Sequence, residues 1–264
     1  MKITALVENR AAHGMKPKHG LALYVETEKH KLLFDVGPDG TLFENAAKAG
    51  IDLAAVDTVI ISHGHFDHGG ALGRFLAQNH QAKVYVQRSA FTPHYNKVVF
   101  LKIPIGLDAA LMTHPQIILT DGDTVIDQEL SLFTVPNTAK CHSPANDVLL
   151  DKNGVDAFGH EQNLLIHGEK TALIMGCGHT GVVNILEKAQ PEKPALCVGG
   201  YHLFNPVTKK TVPAPLLEEI AASLEQYPDT VFYTCHCTGA EACSYLQARL
   251  PNMHYLSCGD SIEL

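Results

Sequence analysis

Ser62-His63-Gly64-His65-Phe66-Asp67-His68-Gly69-Gly70 places four potential metal ligands within six residues. The run 56–62 before it is apolar and β-branched, which predicts a buried strand, and residues 71–79 after it predict a helix. His63 and His65 are two apart, so an extended backbone points both imidazoles the same way, toward one cation. Asp67 and His68 fall where the chain turns into the helix and face a neighbouring cation. Gly64, Gly69 and Gly70 allow that sharp turn without a Cβ clash. The spacing points to two adjacent cations, about 3.5–4 Å apart, that activate water between them. The alternative is a polar loop rich in histidine by chance. The loop alone fills neither coordination sphere, so further ligands must come from downstream.

Around this loop the composition is that of one folded unit. The 264 residues suit a single domain over 1–264, with 45% hydrophobic and 18% charged residues excluding disorder. A net charge of -8 argues against nucleic acid as the main partner, since phosphate neutralisation needs a basic face. No apolar run approaches the roughly 20 residues that span a bilayer, so no membrane partner is expected. The start, Met1-Lys2-Ile3-Thr4-Ala5-Leu6-Val7-Glu8, lacks the long apolar core of a signal peptide. Seven cysteines, an odd number, suggest reduced thiols and a cytoplasmic location. Sixteen histidines against no tryptophan are the first hint of metal chemistry, and the partner expected is a small-molecule substrate. Oligomeric state has no signal in the pattern.

Strands are predicted over 2–7, 21–26, 31–35, 83–87, 117–120, 124–127 and 130–135, with a helix over 41–49 stopped by Gly50. Residues 89–113 are irregular and read as a substrate-pocket insertion; 91–107 and 137–158 read as pocket walls or a lid. The second half repeats the theme. Strands at 163–167, 171–175, 195–198, 231–234 and 253–257 alternate with helices at 182–189, 214–226 and 240–249. Two such halves predict an α/β fold, a four-layer αββα sandwich. A doubly wound sheet is the alternative, disfavoured by the early hairpin and the missing Gly-x-Gly-x-x-Gly.

His63-Gly64-His65-Phe66-Asp67-His68 resembles the His-x-His-x-Asp-His signature of the metallo-β-lactamase superfamily. Leu33-Phe34-Asp35-Val36-Gly37 is similar to its first motif, and the resemblance implies that Asp35 braces the metal loop. In that superfamily a histidine begins the later hairpin and a bridging aspartate ends it. Folding 163–175 over a two-residue turn at Gly168-Glu169 sets His160 opposite Cys177. The resemblance therefore gives His160 the histidine role and leaves Cys177 where aspartate is usual, either as a thiolate ligand or as a small buried apolar residue. His179 is the rival for contact with metal or substrate. Glu161 is expected to orient His160, and His236 matches the last motif and completes the second site with Asp67 and His68. Cys235 and Cys237 read as packing residues.

His160-Glu161-Gln162-Asn163-Leu164, Gly176-Cys177-Gly178-His179, Gly199-Gly200-Tyr201-His202-Leu203 and His236-Cys237-Thr238-Gly239 resemble one branch of the superfamily. Its members are named after 7,8-dihydropterin-6-methyl-4-(β-D-ribofuranosyl)aminobenzene-5′-phosphate synthase, and many are described only as metal-dependent hydrolases. The resemblance implies one or two zinc ions, with iron or manganese as substitutes. It implies hydrolysis of an ester, lactone or phosphoester by metal-activated water, with Asp67, His179 and His202 as catalytic residues. Two other readings stand beside it: a transferase joining dihydropterin pyrophosphate to a ribofuranosylaminobenzene phosphate, and a non-catalytic metal-binding protein. Lys97 and Lys102 are candidates for a substrate phosphate, with solvated lysines as the plainer reading.

Overall fold

The computed structural model describes residues 1–136 and 140–264. Two seven-stranded mixed sheets face each other. The first runs in the order Ser261–Glu263, Lys2–Val7, Ala22–Glu26, Lys31–Phe34, Thr58–Ile61, Lys83–Gln87 and Ile117–Thr120. The second runs Met253–Tyr255, Val231–Thr234, Leu196–Gly199, Ala172–Ile174, Asn163–Ile166, Leu130–Phe133 and Thr124–Val125.

Side-chain alternation explains why the sheets stack and why helices cover them. In the run Val59-Ile60-Ile61, Ile60 joins the core between the sheets, while Val59 and Ile61 join the layer under the helices Thr41–Ala49 and Leu72–Leu76. Such a strand is apolar on both faces because both faces are covered. In the second sheet Leu164, Ile174 and Val198 meet Ile60 and Phe34 across the inter-sheet core. Leu165, Leu173 and Cys197 face the helices Val182–Ala189, Ala214–Leu224 and Ala240–Arg249 instead. The result is the expected four-layer sandwich. Truncating a buried residue such as Ile60 to alanine costs about 2–5 kcal/mol.

Three local expectations are corrected. Residues 89–113 are not irregular throughout: Tyr95–Val98 and Leu101–Pro104 pair as a hairpin, joined by Leu149–Leu150 in a small third sheet. A closing strand, Ser261–Glu263, had no clear signal and adds to the edge of the first sheet by pairing with Lys2–Val7. The hairpin in the second half has the register Leu164–Ile174 and Ile166–Ala172, so its loop is longer than a two-residue turn. That shift by one residue breaks the pairing of His160 with Cys177 and exchanges which side chains share a face.

Candidate metal centre

In each sheet the parallel strands end at the same edge of the sandwich, where ligands gather in α/β folds. Phe34 leads into Asp35, Ile61 into His63, Ile174 into Cys177 and Thr234 into His236. Asp35 is fully buried and holds the loop by three hydrogen bonds. The Ser62 N–H donates to Oδ1 at 2.7 Å, the Ser62 hydroxyl donates to Oδ2 at 2.7 Å, and His68 Nδ1 meets Oδ2 at 2.6 Å. Asp35, His202 and His236 have φ of 61°, 44° and 49°. Non-glycine residues in this left-handed region store of order 1–3 kcal/mol, and such strain clusters at functional sites. Gly176 lets the two halves meet, because a Cβ there would run into the Ser62 side chain.

Hydrogen-bond accounting separates the imidazole atoms that support the site from those that face it. The Ser62 hydroxyl gives its proton to Asp35, so it accepts from His63 Nδ1–H at 2.8 Å. His179 Nδ1 is 2.9 Å from Asn146 Oδ1, and His236 Nδ1 is 2.9 Å from Asn9 Oδ1. Both amide oxygens can only accept, which fixes both tautomers. His63 Nε2 and His179 Nε2 are buried with no partner among the described residues, as is His65 Nε2. Unpaired buried nitrogens are costly, and a divalent cation is the ligand that neutral imidazoles accept.

One nitrogen from each of His63, His65 and His179 lies within 4.8 Å of the others. Beside this group, Cys177 Sγ is 3.2 Å from His68 Nε2, and Asp67 Oδ2 is 3.3 Å from His236 Nε2 and 3.9 Å from His68 Nε2. Asp67 Oδ2 also lies 3.3 Å from His19 Nε2, an exposed side chain with no motif to mark it. These residues fit two adjacent cations, a nitrogen-rich position and a mixed nitrogen, oxygen and sulfur position.

The electrostatics agree with that division. Burial, then the neighbouring imidazoles, holds His63 well below the ordinary histidine value; burial and His202 do the same to His179. His65 is lowered by burial and by His160, against Asp67. Burial lowers His236 to about 4, against Asp67, and lowers His202 to about 3. His68 moves the other way, to about 9, because Asp35 and Asp67 outweigh its burial. Burial opposes the Asp67 charge, yet His68, His19 and His236 hold that carboxyl well below its usual range. Burial and Cys237 raise the Cys177 thiol.

His160 groups with His65, His94 and Asp156, one ligand atom of each lying within 4.8 Å of the others, rather than with His63 and His179. The Gly64 N–H donates to its Nδ1 at 2.9 Å, so its Nε2–H faces Asp156 Oδ2 at 3.1 Å. Both ring nitrogens are thus committed, and the His160 ring supports the metal loop from behind. Asp156 also takes His94 Nδ1 at 2.8 Å, and these two pairings hold its carboxyl below the usual range against its burial. Glu161 turns to His179: its carboxylate accepts from the N–H of His179 at 2.7 Å and of Thr180 at 2.8 Å, and from the Thr180 hydroxyl at 2.6 Å. Asn9 and Asn146 carried no sequence signal, since each acts through a hydrogen bond to a histidine distant in the chain.

A cleft of about 400 Å³ opens above the site. His65, Asp67, Cys177, His179, His202, His236 and Cys237 line its floor, and Phe66, Ile105, Leu149 and Phe204 line its walls. Among the described residues lining it, Lys209 is the one Lys or Arg. Lys97 and Lys102 lie exposed and opposite each other on the hairpin, outside that lining. Of the segment 137–158, residues 137–139 lie outside the described residues. A larger cleft of about 740 Å³, between Thr27, Glu28 and Gly168, opens at the other end of the sheets and, among the described residues, holds no group of metal-ligating side chains. No helix among the described residues is long and apolar enough to cross a membrane.

Comparison with known proteins adds the following. The family model described as "Metallo-beta-lactamase superfamily" matches residues 15–190. An uncharacterised protein of Methanocaldococcus jannaschii is 25% identical, over 99% of this chain and 100% of its own. The 7,8-dihydropterin-6-methyl-4-(beta-D-ribofuranosyl)-aminobenzene-5′-phosphate synthase of the same organism is 25% identical, over 92% of this chain and 89% of its own. A crystal structure described as a metal-dependent hydrolase of the beta-lactamase superfamily superposes with a TM-score of 0.84 at 25% identity, covering 100% of this chain and 99% of that one.

Proposed function

The chain belongs to the metallo-beta-lactamase superfamily, whose members are for the most part metal-dependent hydrolases, and from that premise we propose that it hydrolyses an ester, lactone or phosphoester with two divalent cations. The observation that carries this reading is the group of buried, unpartnered Nε2 atoms of His63 and His179 beside His65, under an open cleft. His63, His65 and His179 hold the first cation in this reading. Asp67, His68, Cys177 and His236 hold the second. Zinc suits nitrogen and thiolate donors better than manganese does.

When bound, the cations supply nucleophilic water by lowering its pKa from 15.7 to about 7. The chain's own groups do the rest. Asp67 keeps a carboxylate oxygen at the cleft floor that accepts the proton of the attacking water and orients it. His202, buried at the cleft with an unpartnered Nδ1, stands beside His179 at 4.2 Å between ring centroids. Its N–H is positioned to stabilise negative charge developing on the substrate. Asp35, Asn146 and Asn9 hold the rings of His68, His179 and His236 in their tautomers, and Glu161 holds the backbone of His179 and Thr180. The hairpin Tyr95–Val98 and Leu101–Pro104 contributes Asn96 to the cleft and acts as the specificity insertion of a single domain.

A transferase reading is favoured by the synthase relative alone. Two phosphorylated substrates call for more basic groups than the single Lys209 along the cleft. The test is a panel of phosphodiesters, lactones and phosphonates beside a pterin-diphosphate coupling assay, run with zinc-loaded and chelator-treated protein. Zinc-dependent turnover of a hydrolysable substrate supports the proposal. Coupling without hydrolysis selects the transferase, and two tightly held ions with no turnover in either assay leave a metal-binding protein.

A further inference from the structure

Seven cysteines are present, and two of them, Cys177 and Cys237, line the cleft. Their neighbours Cys197 and Cys235 pack into apolar clusters, as buried thiols usually do. Cys237 belongs to no such cluster. Its Sγ lies within 4.8 Å of both Cys177 Sγ and a ring nitrogen of His236. The backbone N–H of His202 points at Cys237 Sγ from 3.3 Å, an arrangement that favours a sulfur carrying negative charge. The thiol's own hydrogen reaches the Cys177 carbonyl over a long 3.5 Å. Gly200 has no side chain where a Cβ would strike Cys237 Sγ, so the Gly199-Gly200 turn keeps room for that sulfur.

We propose that Cys237 is a ligand of the second cation and that this cation is held by two thiolates, Cys177 and Cys237, with His68, His236 and Asp67. The inference rests on the two-cation reading above and deepens it. Each thiol releases its proton to solvent on binding, so uptake at this position is coupled to proton release. Two thiolates select a borderline or soft divalent cation, zinc or ferrous iron, over manganese or magnesium. They also fill the second position with protein donors. The open coordination site then belongs to the three-histidine position, as catalytic sites with three protein ligands keep one place for water. Cys177 lies within reach of His63 as well as His68, so its sulfur stands between the two positions where a carboxylate is usual.

The experiment is reconstitution of reduced, metal-stripped protein with cobalt(II) under anaerobic conditions, reading cobalt uptake together with thiolate-to-cobalt charge-transfer absorption. Wild-type protein should take up two cobalt ions and show that absorption. Cys237→Ser and Cys177→Ser should each lose about half of it, and the double variant all of it. Two cobalt ions with undiminished absorption in Cys237→Ser overturn this inference and leave the two-cation reading standing. No uptake of cobalt by wild-type protein overturns both. Should Cys237→Ser fail to fold, cadmium NMR of the wild-type protein counts sulfur donors directly. A two-sulfur resonance beside that of the histidine position supports the inference, and spectra in which no cadmium carries two sulfurs overturn it.

Discussion

The two ends of this sandwich treat the histidine side chain in opposite ways. At the closed end, His30 Nδ1 meets Asp57 at 2.8 Å and Nε2 meets Asp127 at 2.8 Å, with Glu129 at 3.9 Å. Every proton of that imidazole has an acceptor. At the open end, His63, His65 and His179 crowd together with Nε2 atoms that nothing accepts or donates to among the described residues. His30 is raised above its ordinary value by Asp57 and Asp127 in spite of burial; the other three are pushed below theirs by burial. A satisfied histidine fastens elements together, whereas a group of unsatisfied ones is a binding site without its ligand's charge. The distinction lies in the partner atoms, and neither residue type nor burial alone expresses it.

The largest effect expected from that contrast is on zinc. His179→Ala removes a nitrogen whose only available partner is a cation. Zinc affinity of the first position should fall by more than the roughly 10–100-fold lost when a residue that merely orients a ligand is changed. Wild-type protein should gain melting temperature on adding zinc, and the variant should lose most of that gain while its metal-free form stays folded. A full zinc-dependent gain in His179→Ala would place the third nitrogen elsewhere.

A smaller effect separates His160 and Asp156 from the ligands. With Nδ1 taken by Gly64 and Nε2 by Asp156, His160 acts by holding the metal loop's backbone. His160→Ala and Asp156→Ala should each weaken zinc binding by about 10–100-fold and leave two ions bound at saturating zinc. Loss of one ion at saturation in His160→Ala would make His160 a ligand and break the division drawn between paired and unpaired nitrogens.

This difference between His160 and His179 marks how far the sequence can be read. The His63–His68 loop, Asp35 and His236 were legible because strand alternation and strand ends are local patterns. So was the sandwich, since runs such as Val59-Ile60-Ile61 are apolar on both faces. The choice between His160 and His179 turned on the hairpin register, and the register depends on a loop over 167–171 that no Gly-rich pair announces. The observed register, continued to the open end, sets Glu161 rather than His160 opposite Cys177. Asn9 and Asn146 were invisible for another reason. Each meets its histidine across 227 and 33 residues of chain respectively, and an amide that fixes a tautomer has no spacing to betray it. Cys237 looked like packing because it adjoins Cys235, which does pack; the strand's end turns one sulfur inward and the other toward the cleft.

The smallest expected effect belongs to the closed end and concerns stability alone. His30→Gln keeps a polar side chain but cannot carry the positive charge that Asp57 and Asp127 favour. The folded-state pKa of His30 is raised above 6.5. Its charge therefore contributes stability that is fully present below about pH 6.5, the unfolded value, and is lost as pH rises through the folded value. Side chains of this network are partly solvated, with exposures of 16% for His30, 40% for Asp57 and 36% for Asp127, so the contribution is about 1 kcal/mol or less. Urea unfolding of metal-free wild-type and His30→Gln protein at pH 6 and pH 9 measures it directly. The variant should be less stable at pH 6, the gap should narrow at pH 9, and zinc uptake should match wild type at both. A gap that widens with pH would mean that His30 serves as a neutral hydrogen-bond donor. A change in zinc uptake would mean that the two ends of the sandwich are energetically coupled, and that pairing of the nitrogens does not by itself separate structure from function.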